Sequence, residues 1–203
     1  MSHGKKIRDW DDRYADSDYL FGTVPNDFLK SVADRPAPNS QILCLADGEG
    51  RNGVYLATLG HKVTAIDQSR VGLEKAKKLA EQKQVSIETI EADLAEYDLG
   101  VESWDCIVSI FFHIPSAVRA HIYPRIITAL KPGGILILES YTPEQLNHGT
   151  GGPPNADLML TKEELAQNFS EMNLEHLQEL ERDVIEGAGH TGLASVVQLL
   201  ALR

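Results

Sequence analysis

The stretch Ile42-Leu43-Cys44-Leu45-Ala46-Asp47-Gly48-Glu49-Gly50-Arg51-Asn52-Gly53 constrains this chain more than any other. An apolar run passes straight into a glycine-bearing turn. A helical pattern follows at once, with Val54, Tyr55, Leu56, Ala57 and Leu59. That order is strand, tight turn, helix. Gly48 and Gly50 carry no Cβ to hold a ligand off the backbone. The turn also presents free N–H groups at a helix N-terminus. Asp47 and Glu49 flank it, so a second anion is repelled there. A ligand bearing positive charge, or hydroxyl and amino donors, suits the turn better than a pyrophosphate. Gly48-x-Gly50-x-x-Gly53 also satisfies the dinucleotide fingerprint, a weak match on its own.

The rest of the chain repeats the strand–helix alternation. Strand 1, Gln41–Ala46, leads to a helix that ends at Gly60, a natural left-handed cap. Strand 2 is Lys62–Ile66 and ends on Asp67. Ser69 is the expected N-cap of the next helix, whose apolar stripe is Leu73, Ala76, Leu79 and Ala80. Strand 3 is Ser86–Glu91, strand 4 is Cys106–Phe111, and a helix is expected over Ala117–Leu130. Lys131-Pro132-Gly133-Gly134 breaks that helix, and Ile135–Glu139 is strand 5. Nearly all-apolar strands alternating with helices predict a parallel sheet covered on both faces. Thr161-x-x-Glu164 is a capping box for one more helix. Glu175–Ile185 and Ser195–Leu202 then read as two strands with Gly187, Gly189 and Gly192 between them. With no helix to separate them, they predict an antiparallel hairpin at one edge of the sheet. The fold class is therefore α/β, a doubly wound, mostly parallel seven-stranded sheet with an antiparallel C-terminal hairpin.

A chain of 203 residues is read as a single domain over 1–203, with a core over 41–203. Residues 1–40 precede the core and gather Trp10, Tyr14, Tyr19, Leu20 and Phe21. Such an aromatic segment serves either as a lid over a site or as a cover for an exposed flank. The net charge of −11 argues against a nucleic-acid partner. Cys44 and Cys106 lie inside strands and read as buried small hydrophobes. No metal-ligand spacing, signal-peptide core or membrane-length apolar run is visible. The expected setting is the cytoplasm. Oligomeric state is not legible.

In a doubly wound sheet, ligands bind at the carboxyl ends of the strands near the switch point. Asp47, Asp67, Asp93 and His113 fall at the ends of strands 1, 2, 3 and 4. Asp67 follows the first glycine by about twenty residues, the spacing at which an acid holds a ribose diol. An acid at position 93 can accept a hydrogen bond from an adenine amino group. His113 is the candidate general base, and His148 and His190 are weaker ones. Arg51 is a candidate for an anionic substrate group or for pairing with Glu49. Tyr14, Tyr19, Phe21 and Tyr141 are candidate walls of a small apolar pocket.

The order of these pieces resembles class I S-adenosylmethionine-dependent methyltransferases. The glycine turn after strand 1, the acids after strands 2 and 3, and Lys131-Pro132-Gly133-Gly134 before strand 5 all match that family. Within it, Gly48-Glu49-Gly50-Arg51-Asn52 and the Tyr-Leu-Phe-Gly-x-x-Pro-Asn-x-Phe-Leu run of residues 19–29 are similar to the tellurite-resistance and thiopurine methyltransferase branch. The resemblance implies S-adenosylmethionine as cofactor and a small-molecule acceptor such as a thiol, a metalloid or another soft nucleophile. It implies cofactor contacts at Ala46, Asp47, Gly48, Glu49, Gly50 and Asn52. It also implies Asp67 on the ribose, Gln68 beside the adenine, Asp93 and Leu94 on the adenine amino group, and Ser109 and Ile110 at the amino-acid end. The chain departs from the family where Cys44 replaces the usual Asp and Ala46-Asp47 the usual Gly-Cys. Asp47 then stands in for a contact to the cofactor's ammonium. The alternatives are a nicotinamide-dependent oxidoreductase built on the glycine fingerprint, and a non-catalytic cofactor-binding protein.

Overall fold

The computed structural model describes residues 10–16 and 18–203. Residues 1–9 and 17, part of the aromatic lid expected over 1–40, lie outside the described residues. Two short helices, α1 (Trp10–Tyr14) and α2 (Asp27–Ser31), precede β1 (Gln41–Leu45). Then follow α3 (Arg51–Thr58), β2 (Lys62–Asp67), α4 (Arg70–Gln82), β3 (Glu88–Glu91) and β4 (Trp104–Ile110). The chain continues through α5 (Ser116–Ala129), β5 (Leu130–Tyr141), α6 (Lys162–Asn168), β6 (Asn173–Glu186) and β7 (His190–Leu202).

The strands form one seven-stranded sheet in the order β3-β2-β1-β4-β5-β7-β6. The first five are parallel, β7 runs antiparallel to β5, and β6 pairs antiparallel with β7. The α/β class and the edge hairpin are as the sequence predicts.

Side-chain parity shows why both faces are buried. Leu43, Leu45, Ile107, Leu136 and Leu138 pack with Ile122 and Ile126 of α5 and Phe169 beyond α6. Ile42, Cys44, Cys106, Val108, Ile135 and Ile137 point the other way, onto Phe28 and Leu29 of α2 and Leu56 of α3. Both cysteines are buried free thiols within that packing. Among the described residues, no helix is long and apolar enough to cross a membrane.

Helix ends follow the local chemistry. Ser69 Oγ accepts from Gly72 N at 3.0 Å, and Thr161 Oγ1 accepts from Glu164 N at 3.1 Å. Glu164 does not complete the capping box, because its carboxylate accepts from Arg119 Nε at 2.7 Å. The hairpin is longer than its sequence suggests, leaving only residues 187–189 between the strands. Gly192 lies inside β7 at φ +128°, and a Cβ there would sit 2.6 Å from the Thr150 methyl group. This glycine admits a neighbouring segment rather than ending the strand. α1 was not visible as a helix, being too short for a periodic pattern.

One buried polar junction ties the N-terminal segment to the sheet. Asn26 Oδ1 caps α2 by accepting from Leu29 N at 2.9 Å. Its Nδ2 donates to Glu139 Oε1 of β5 at 2.7 Å and to Glu186 Oε1 of β6 at 2.9 Å. Its backbone N donates to Asn52 Oδ1 of α3 at 2.9 Å. Arg182 pairs with Glu139, Gln198 donates to Glu139 Oε2, and Arg51 Nη2 donates to Glu186 Oε2 at 2.6 Å. Glu139 and Asn26 are fully buried.

Removing one partner of such a pair strands a buried charge. Arg182→Ala is expected to lower unfolding stability by about 3–5 kcal/mol. Arg35→Ala, which breaks a more exposed pair with Glu175, should cost below about 1 kcal/mol. Urea unfolding of both variants checks this, and equal losses would contradict it.

Candidate functional site

The sheet order brings the ends of β3, β2, β1 and β4 side by side, so the acids that terminate them share one rim. The turn after β1 is left-handed at Ala46 (φ +51°), Gly48 (φ +55°) and Gly50 (φ +85°). It is pinned from both sides. Asp47 N donates to Ile66 O at 3.2 Å, and Gly50 N donates to Asp47 O at 3.0 Å. A Cβ on Gly50 would meet the Ala76 methyl at 2.5 Å, so this glycine lets α4 close on the turn.

Asp67 is buried at the end of β2 and joins the turn to α4. Its Oδ2 accepts from Gly48 N and its Oδ1 from Ser69 N, both at 2.8 Å. Desolvation raises its pKa, and the N–H groups of Ser69, Gly48 and Gln68 oppose that shift. Each carboxylate oxygen still has a lone pair to offer. Ala92 N donates to Asp67 O at 3.0 Å, which carries the chain from this acid to Asp93. Asp93 is exposed, with one oxygen taken by Ala95 N at 2.9 Å, and Leu94 beside it is buried. Gln68 is exposed, while Ser109 and Ile110 are buried at the end of β4. Phe111 follows at φ +53°, a strained conformation for a bulky residue.

The two acids of the turn have different environments. Asp47 keeps partial solvent access. Both of its oxygens accept from Gly53 N at 3.2 Å. A Cβ on Gly53 would lie 2.5 Å from Asp47 Oδ2, so the third glycine of the fingerprint makes room for the chain's own carboxylate. Desolvation lifts the Asp47 carboxyl to about 7. Glu49 is buried and pairs with Lys75 of α4, and its Oε2 also lies 3.4 Å from Phe21 N, which donates to it.

The N-terminal segment is held over this turn. Lys75 Nζ donates to the carbonyls of Asp16 and Asp18 at 3.0 and 2.6 Å and reaches that of Tyr14 at 3.4 Å. Asp11 Oδ1 accepts from Ser69 Oγ at 2.6 Å and Val71 N at 3.1 Å, at the start of α4. Tyr14 is buried, and a Cβ added to Gly48 would touch its hydroxyl. Desolvation raises the Tyr14 pKa, with Asp67 and Glu49 adding to it.

The four aromatic candidates fall into two groups bridged by Phe21, whose ring meets that of Tyr14 edge to face at 6.3 Å. Tyr14 lies on the turn, and Tyr19 Oη donates to Lys75 O at 3.0 Å. Phe21 and Tyr141 instead join Phe111, His113 and His190 in one aromatic cluster. His190 lies 4.5 Å from Phe21, 5.1 Å from Phe111 and 5.4 Å from Tyr141, between ring centroids. His113 stacks on Tyr141 at 5.5 Å and 8°. Burial, with His190 nearby, pushes the His113 imidazole down to about 3. His148 lies elsewhere, 3.2 Å from Glu181. Arg51 pairs with Glu186 rather than Glu49, and Asn52 spends its carbonyl oxygen on Asn26 N. Lys75, Glu186 and the centrality of His190 were missed in the sequence. Their partners are far away in the chain, and only the glycines at 187 and 189 hinted at a close approach there. A Cβ on Gly189 would lie 2.5 Å from the Phe21 ring.

The donor and acceptor set fits S-adenosylmethionine. A buried carboxylate with free lone pairs suits a diol, an exposed acid suits an amine, and the acidic rim suits a cation.

Comparison with known proteins agrees with this geometry. Residues 42–134 match the methyltransferase domain family. YodH, an uncharacterized methyltransferase of Bacillus subtilis (strain 168), is 32% identical over 116 residues, 54% of this chain and 48% of that protein. The chain spans about half the length of the curated relatives it matches. Among solved structures, a protein from work on the conversion of a disulfide bond into a thioacetal group during echinomycin biosynthesis superposes with a TM-score of 0.77 at 16% identity. The match covers 96% of this chain and 90% of that one. TehB from Haemophilus influenzae superposes with a TM-score of 0.71 at 20% identity, covering 86% of this chain and 61% of its own. The fold is the Rossmann-like methyltransferase fold, and the matches support a class I methyltransferase.

The Asp47 environment generates a pH prediction. Its folded pKa, about 7, lies above the ordinary value of 3.8, so the folded state favours the neutral form. The cost of holding the charge is full above about pH 7 and vanishes below the ordinary value. Asp47→Asn is therefore expected to stabilise the protein by about 1–3 kcal/mol at pH 8. The gain should shrink as the pH falls from 7 towards 4. Thermal melts of both proteins across that range check it, and a pH-independent difference would refute the raised carboxyl.

Proposed function

We propose that this chain is an S-adenosylmethionine-dependent methyltransferase acting on a small molecule with a soft nucleophile, such as a thiol or a metalloid. The observation that carries the reading is Asp67, a buried carboxylate at the end of β2 whose two backbone donors come from the glycine turn and α4. In this reading Asp67 takes the ribose hydroxyls, and Asp93 with the Leu94 backbone takes the adenine amino group. Gln68 lies beside the base. The backbone of Ala46, Gly48 and Gly50 lies along the methionine part, with Ser109 and Ile110 at its amino-acid end. Asp47 answers the ammonium.

When bound, S-adenosylmethionine supplies a methyl group on a sulfonium, already activated for in-line displacement. The protein then has to align the acceptor and keep water out. A soft acceptor needs little more. An ionised acceptor such as a thiolate would gain the methyl while the sulfonium left as a neutral thioether, and an acceptor that binds as X–H would release its proton to solvent water. The described part of the N-terminal segment, residues 10–16 and 18–40, acts as the lid, with Tyr14 and Phe21 as its inner side chains. The acceptor lies on the Phe21, Phe111 and Tyr141 side.

The choice of a soft nucleophile rests on the resemblance carried by Gly48-Glu49-Gly50-Arg51-Asn52 and residues 19–29, and two likenesses of fold accompany it. TehB is one structural neighbour, and the other comes from work on converting a disulfide bond into a thioacetal. The dinucleotide reading loses its support, because Gly53 and Gly50 are each accounted for by packing within the chain.

Calorimetric titration with S-adenosylhomocysteine tests the reading. Micromolar binding is expected. Asp67→Asn, which keeps one acceptor oxygen, and Asp67→Ala should each weaken it by about 1–2 kcal/mol, roughly five- to thirty-fold. Melting curves confirm that both variants fold. Absence of binding up to millimolar concentration, or equal affinity in Asp67→Asn, would remove the assignment.

A further inference from the structure

Two buried ring nitrogens in the aromatic cluster have no hydrogen-bond partner, His113 Nε2 and His190 Nδ1. They differ in kind. His113 Nδ1 lies 3.2 Å from the Leu158 carbonyl oxygen. A carbonyl oxygen only accepts, so Nδ1 carries the hydrogen. Neutral His113 therefore leaves Nε2 as a bare lone pair, shut off from water. An unmatched buried acceptor costs about 1–3 kcal/mol. Such a cost is tolerable where a ligand relieves it. His190 Nδ1 stands 3.6 Å from Glu186 Oε2, an ion-pair separation beyond hydrogen-bond reach. Burial lowers the His190 pKa against the pull of Glu186.

The surroundings restrict what can meet His113. Phe111, Tyr141 and Phe21 supply polarisable ring faces. The charges beneath the cluster are matched among themselves: Arg51 with Glu186, and Arg182 with both Glu139 and Glu186. A charged ligand finds no free counter-ion in that junction, and Arg13, a cation on the outer side of Phe21, is laid over the Trp10 ring at 4.2 Å and the Phe21 ring at 5.8 Å. Phe21 is partly exposed, as Phe111 is, but it alone of the cluster belongs to the N-terminal segment, so it is the wall that yields to a ligand.

We propose that this cluster is the acceptor site and that it selects small uncharged molecules carrying one O–H, S–H or Se–H donor, which is given to His113 Nε2. The inference deepens the methyl-transfer reading and rests on it for the use of the site. It recasts His113 from general base to hydrogen-bond acceptor, since an imidazole held at about 3 is too weak a base to keep a proton near neutral pH.

The test needs no cofactor. Four aromatic probes of similar size are titrated at neutral pH: phenol, toluene, benzoate and benzyltrimethylammonium. Phenol is expected to bind at least ten-fold more tightly than the other three. Nitrogen-15 NMR of the histidine rings should show His113 as the Nδ1–H tautomer, with its Nε2 resonance shifting on addition of phenol. His113→Asn places an amide near the Leu158 carbonyl and leaves no acceptor at the Nε2 position, so the preference for phenol over toluene should vanish. His113→Gln, which can present an amide oxygen there, should restore part of it. A purely packing role for His113 would move none of these differences. An Nε2–H tautomer, benzoate or the ammonium probe binding as well as phenol, or an unchanged preference in His113→Asn would each overturn the proposal. Loss of S-adenosylhomocysteine binding by the unmodified protein would sink the methyl-transfer reading alone, and the two failures are told apart in that way.

Discussion

Everything near the site depends on the buried junction of Asn26, Glu139, Glu186, Arg51 and Arg182. A buried ion pair adds little net stability, because desolvation consumes most of the Coulomb gain. Its effect is on arrangement. The five residues come from the N-terminal segment, β5, β6 and α3, and their carboxylates, amide and guanidinium ends find one another, with Arg182 Nε alone among them left without a partner. The hairpin must therefore lie where Glu186 meets Arg51, and the N-terminal segment where Asn26 reaches both glutamates. With those fixed, Gly189 receives the Phe21 ring, and His190 comes to rest against Phe111 and Tyr141. The aromatic cluster is a consequence of the ionic one.

A second consequence concerns charge. Two cations near the glycine turn, Arg51 and Lys75, are bound to Glu186 and Glu49. That leaves Asp47, Asp67 and Asp93 on the rim without a salt-bridge partner among the described residues. A rim that keeps its acids and ties up these cations attracts positive charge. The sequence alone suggests this, because it shows the acids. It does not show that Arg51 is withdrawn from the turn, since its partner follows 135 positions later.

The parallel core was legible because its signal is local. Apolar strands buried on both faces, Gly60 beyond α3, Ser69 before α4 and the glycine turn are each readable within a few residues. What was not legible depends on distant pairs. α1 is one turn of helix held by Asp11 on the start of α4 and by Lys75 at its far end. No periodicity announces such an element. β7 begins at His190 rather than Ser195 because Gly192 makes room for Thr150, a contact across the hairpin's flank. The candidate rim residues were readable from position after each strand. The grouping of His190 with His113, and the place of Phe21 between Tyr14 and the Tyr141 cluster, were set by the hairpin and the lid.

The departure at Ala46-Asp47 shows how far the turn is shaped by the chain itself. A non-glycine residue in the left-handed region costs roughly 1–2 kcal/mol, and Ala46 sits there at φ +51°. The compensation is visible nearby. Asp47 accepts from Gly53 with both oxygens, and its own N–H and C=O are bonded to Ile66 and Gly50. The side chain that follows the strained alanine thus closes the first turn of α3 in the manner of a cap, in place of a ligand. Gly53 is required by that carboxylate and Gly50 by α4. A glycine pattern shared with dinucleotide-binding proteins arises here from two internal packing demands. The acid that follows the strained alanine is also the residue that holds the turn in shape.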